Sequence, residues 1–189
     1  MGTRAAPLPE HAKLKELILY ISARCFDHRK YGATKLNKIL FFSDFIAYER
    51  FGKPITGEEY FKLPKGPAPR YLVPVREEMM AAHDLDIALI EVFGRTQERP
   101  VPLRKPNLEL FEPREISLVD EVIEALKDKN AEEVSELSHY FVGWKLAAEK
   151  EIIPYHSVFS HEMTESDVTE GHIQKGLEIA RRYGLSDPV

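Results

Sequence analysis

The chain has 189 residues, of which 43% are hydrophobic and 30% charged, and a formal net charge of −5. That composition excludes disordered and fibrous classes, and the acidic balance argues against a phosphate-backed polymer as the main partner. The single cysteine, Cys25, excludes an internal disulfide framework, and no run approaches the ~18 apolar residues of a membrane span, so a cytoplasmic location with no membrane partner is expected.

Residues 1–9 carry two prolines, lack the apolar core of a secretory signal and read as a loose lead-in. From Glu10 the spacing of Leu14, Leu17, Ile18, Ile21 and Cys25 predicts a first helix, ending near His28 to Gly32. Cys25 sits on that apolar stripe while Asp27 and His28 turn away, so it reads as a buried structural thiol.

The central element is TKLNKILFFSDFIAYERF, residues 34–51, with Thr34 as N-cap and Gly52 as the residue that closes the helix. At 100° per residue, Leu36, Ile39, Leu40, Ile46 and Ala47 fill one side, and Phe41, Phe45 and Tyr48 lie opposite. A helix apolar on nearly every face belongs inside a domain, wrapped by other segments. Asn37 and Asp44 share one narrow polar strip, which either bonds a neighbouring loop or lines a polar pocket.

Pro54, Gly57, Pro64, Gly66, Pro67 and Pro69 then rule out helix. Residues 58–63 read as a strand centred on Tyr60 and Phe61, and Lys65, Gly66 and Pro67 as a rigid turn. Leu72, Val75 and Met79 give a helical pattern over 69–82, with Pro74 in its first turn. Residues 87–93, 99–103 and 108–111 are further strand candidates, which with 58–63 would form one sheet.

Ile116, Val119, Val122, Ile123 and Leu126 predict a helix over 117–129. Asn130 with Glu133 is a capping pair for the next helix, with Val134, Leu137 and Phe141 facing inward. A last helix is expected over 165–183, closed by Gly184. The fold class is α+β, mostly α: a central buried helix wrapped by several helices, with one small antiparallel β-sheet. Residues 10–163 form the domain, and 164–189 a C-terminal helix packed on it.

Signatures of catalysis are sparse. There is no phosphate-cradling glycine loop, paired-cysteine zinc site or nucleophile elbow. His156, His161 and Glu162 fit no metal-ligand spacing and read as surface residues. His139, near the only tryptophan, Trp144, reads as a histidine wedged at a helix end and donating to a backbone carbonyl; a hydrolase built on it is the alternative. Lys62, Lys65 and Arg70 flank Tyr60, Phe61 and Tyr71, a pattern of a solvated edge or of nucleic-acid contact. No catalytic residue, cofactor or metal is expected.

KLNKILFFSDF followed by GKPITGEEYFKLPKGPAP, with the later ELSHYFVGWK and IIPYHSVF, resembles the Panacea domain, also called the SocA-like antitoxin domain. The resemblance spans roughly residues 12–160 and departs at Lys65, where longer members often carry an aromatic before the Gly-Pro turn. It implies a non-enzymatic bacterial or phage protein that binds and neutralises a cognate toxin. It also leaves room for an adaptor delivering the toxin to a protease, and for a winged-helix-like regulator on operator DNA. The expected contact surface comprises Lys38, Tyr60, Lys62, Lys65, Gly66, Pro67, Arg70, His139 and Trp144.

Overall fold

The computed structural model describes residues 10–92 and 94–160. Six helices lie in that span: α1 (Ala12–Arg24), α2 (Ala33–Phe51), α3 (Leu72–Ala81), α4 (Pro113–Leu126), α5 (Ala131–His139) and α6 (Val142–Leu146). The strands are β1 (Tyr60–Phe61), β2 (Ala68–Pro69), β3 (Leu85–Val92), β4 (Arg95–Pro102) and β5 (Ile152–Ile153). This is the mostly helical α+β fold that the patterning predicts. The helix expected over 165–183, and His161 and Glu162, lie outside the described residues.

α2 is the centre, touching α1, α4, α5, β2, β4 and the 3-10 turn Tyr155–Phe159. Its two apolar faces serve two separate cores. Leu36, Ile39, Leu40 and Ala47 pack with Leu14, Leu17, Ile18 and Ile21 of α1 and Val119, Val122 and Ile123 of α4. On the other face, Phe41 and Phe45 pack with Tyr60 and Ile153, walled by Phe141, Trp144 and Tyr155. Rings there meet at 4.5 Å (Phe41 and Phe45) and 5.5 Å edge-on (Phe45 and Tyr60), distances at which aromatic pairs attract beyond their burial. Cys25 is buried, which pushes its thiol up to about 12 and leaves it inert at neutral pH.

Local chemistry sets the ends of the elements. Gly52 closes α2 at φ 74°, in the left-handed region that glycine enters without strain. Its start differs from expectation: Gly32, not Thr34, is the N-cap, and Ala33 is already helical. α4 opens earlier than its apolar stripe, because Glu112 and Glu115 form a capping box around Pro113. Asn130 and Glu133 cap α5 as expected. α3 begins at Leu72, with Pro74 accommodated in its first turn.

The expected single sheet is two. β2, β1 and β5 form one, in that order, with Tyr60 opposite both Pro69 and Ile153. β3 and β4 form a separate antiparallel hairpin, Leu85 opposite Pro102 through Val92 opposite Arg95. Residues 108–111 are not strand: the Asn107 side chain accepts from Glu109 N at 3.0 Å and nucleates a 3-10 turn, Leu108–Leu110. Arg104 fixes the segment before it, gripping the Glu16 carboxylate of α1 at 2.8 Å with both terminal nitrogens and Asp84 at 2.7 Å.

Candidate functional site

Lys38 projects from the middle of α2 and is only 2% exposed. Its Nζ donates to the Pro67 carbonyl at 2.9 Å, with no carboxylate in ion-pairing range among the described residues. Burial alone lowers the amine to about 7. An isolated buried cation is unfavourable, so its retention beneath one turn marks that turn.

The turn, residues 63–67, is clasped by three side chains and by a bond of its own backbone. Lys38 holds Pro67 from below. Trp144 Nε1 donates to the Leu63 carbonyl at 3.2 Å, and the His139 ring is hydrogen-bonded to the Pro64 backbone. Gly66 N donates back to Leu63 at 2.8 Å, closing the turn on itself. Gly66 sits at φ 90° against Ser138, so close that a β-carbon there would stand 2.2 Å from Ser138 Oγ. Only glycine satisfies both the dihedral and the gap.

His139 and Trp144 reinforce each other, stacked 4.1 Å apart at 16°. Lys62 lays its Nζ 4.4 Å over the Trp144 ring and donates to the Ala147 carbonyl at 2.9 Å. Burial and the nearby Lys38 charge depress His139 below its ordinary value, so its imidazole is neutral at physiological pH. This is the wedged histidine predicted at a helix end. Against the turn lies a cavity of about 360 Å³, lined by Thr34, Asn37, Lys38, Lys65 and neighbours. Asn37 Oδ1 is buried there without a partner among the described residues.

Below this lies a second polar centre. Asp44 is fully buried and accepts from Thr56 N at 2.7 Å, from Thr56 Oγ1, and from Tyr60 Oη at 2.7 Å. Burial pushes its carboxyl up to about 6 against the pull of those bonds. The ITG turn thus gives Asp44 two of these three donors, both from Thr56, and Gly57 at φ 77° turns the chain toward β1, which brings the third. Of the two polar residues on the α2 strip, Asp44 bonds a loop and Asn37 lines a pocket.

Lys38, Lys62, Gly66, Pro67, His139 and Trp144 therefore converge on one turn, with Lys65 exposed at its tip. Tyr60 and Lys38 are not surface contacts. Tyr60 is 0% exposed because its ring completes the second core, and the Lys38 ammonium points inward to Pro67. Arg70 stands apart on the β2 side, paired with Glu59 at 2.7 Å and lying over Phe61. Leu137, expected inward, is 39% exposed. Two residues that the sequence pattern does not single out are the most exposed apolar side chains of the neighbouring corner: Tyr140 at 74% and Leu146 at 77%. Tyr140 precedes α6 and Leu146 is its last residue, in a five-residue helix too short to carry a readable stripe.

Among the described residues no group of three His, Cys, Asp or Glu is placed to hold a metal, and no helix is long and apolar enough to cross a membrane. No curated protein and no solved structure matches the chain. A family model does, described as "Antitoxin SocA-like, Panacea domain", over residues 36–145. That span begins just before Lys38 and ends just after Trp144, enclosing every group that clasps the turn. With more than half of its residues matched, the chain belongs to the SocA-like antitoxin, Panacea domain family.

Proposed function

We propose that this chain is an antitoxin that neutralises a co-encoded toxin by direct, stoichiometric contact and makes or breaks no bonds itself. Family membership supports the toxin-antitoxin role. The observation that carries direct contact is the pairing of a rigid clasped turn with bare apolar side chains beside it, Tyr140 and Leu146. Interfaces draw their affinity from a few aromatic and apolar anchors held on a pre-organised surface, because little ordering entropy is then lost on docking. Lys65, exposed at the tip of the turn, provides a polar rim.

His139 supports this reading over catalysis: its Nε2 is buried and one face is covered by Trp144. The test is co-expression with the product of the adjacent gene. Growth restored by the wild type, and lost with Leu146→Glu at unchanged expression, is the expected result. Rescue by Leu146→Glu equal to wild type would remove this face. Toxin that disappears only in protease-competent cells would mark an adaptor, and salt-sensitive retardation of the upstream DNA an operator-binding role.

A further inference from the structure

A larger cleft, of about 680 Å³, opens between the start of α2, the β3–β4 hairpin and the start of α5. Four cations line it: Lys30, Lys35, Lys65 and Arg95. Two carboxylates share the wall, Glu98 and Glu132, and Glu98 already pairs with Arg76 at 3.3 Å. In a chain of net charge −5 this is a local reversal of sign.

The inner two amines are held by backbone carbonyls rather than by ion pairs. Lys35, 1% exposed, donates to the Lys127 carbonyl at 3.0 Å, and Lys30 donates to the Asp128 carbonyl. Both therefore hang on the last carbonyls after α4. Burial, with a further push from the Lys30 charge, holds Lys35 below its ordinary value. Among the described residues no carboxylate lies in ion-pairing range of Lys30, Lys35, Lys65 or Arg95. Four cations against two carboxylates leave the recess with an excess of positive charge, which attracts an anion.

The wall also says which anion fits. Its apolar members among the described residues are Gly32, Ala33, Val92 and Ala131, none of which can stack a nucleobase. A long polyphosphate or a duplex would also have to lie against a chain whose net charge is −5. Carboxylates on a flexible backbone meet separated point charges without that cost. Thr34 and Lys65 border both this cleft and the pocket against the clasped turn, so the two openings adjoin.

We infer that this cleft receives an acidic segment of the toxin, a short run of Asp and Glu side chains, while the Tyr140 and Leu146 corner takes its apolar part. The inference rests on the neutralisation reading above. The probe is hexaglutamate, titrated into the 15N-labelled full chain at low and high salt. Saturable shifts at residues 32–35, 65 and 95–98 that vanish at high salt are expected, with roughly ten-fold weaker binding in the exposed double variant Lys65→Glu/Arg95→Glu. Three results would overturn it: no shifts at the cleft, shifts indifferent to the double variant, or tighter binding of tripolyphosphate. Growth rescue by the double variant equal to wild type would overturn it too. If wild-type rescue stands while hexaglutamate fails, this inference falls and the neutralisation reading survives; if wild-type rescue is absent, that reading falls by itself.

Discussion

The Lys38 amine donates to the Pro67 carbonyl at 2.9 Å, and it lies 2.7 Å from the place a β-carbon on Gly66 would occupy. The buried cation and the bare glycine are two halves of one fit. The amine needs the carbonyl because nothing else nearby compensates its burial, and the turn comes that close only because residue 66 has no side chain.

Gly66→Ala forces a β-carbon into Ser138 and a side chain onto a φ of 90°. Together these should cost about 3 kcal/mol or more of stability in urea unfolding. Adding Ser138→Gly should recover the share of the cost that Ser138 imposes and leave the Lys38 contact at 2.7 Å and the dihedral part. Full recovery would show that the backbone dihedral carries no strain.

Lys38 gives stability a defined pH dependence. Its amine is at about 7 in the folded chain against an ordinary 10.5, so between those values the unfolded chain binds the extra proton and stability rises with pH. Below about pH 7 both states are charged and the burial penalty is complete. The stability of wild type relative to Lys38→Met should therefore improve by on the order of 2 kcal/mol from about pH 6 to about pH 9. A pH-independent difference would mean that the amine is hydrated in the folded state.

Tyr60 links the second core to Asp44. Tyr60→Phe removes a hydrogen bond to a carboxylate and should cost about 2 kcal/mol, raising Asp44 further above 6 in a carbon-detected NMR titration. Tyr60→Asp should not fold, because it places a second carboxylate in a closed aromatic core. A soluble, cooperatively folding Tyr60→Asp variant would mean that Tyr60 is reachable from the surface after all.

The sequence made α2 legible because its apolar residues fall on two opposed arcs, and each arc became a core. Asn130, Glu133 and Gly52 were legible because caps are local chemistry. The small sheet was not: β1 has two residues, and its pairing with Ile152–Ile153 joins segments about ninety positions apart, a relation no local pattern encodes. Of the site, the turn and its histidine and tryptophan could be read from their residue types. The inward direction of Lys38 could not, since lysine is almost always exposed and nothing beside it in sequence announces a buried acceptor.

On the proposed function, Tyr140 and Leu146 stand bare in the free chain because the toxin covers them. Calorimetric titration of the purified chain with the adjacent gene's product measures this directly. A saturable complex of fixed stoichiometry, weakened at least roughly ten-fold by Leu146→Glu while the melting temperature holds, is the predicted result. An unchanged affinity in a folded Leu146→Glu variant, or no complex at all with the wild type, would contradict it.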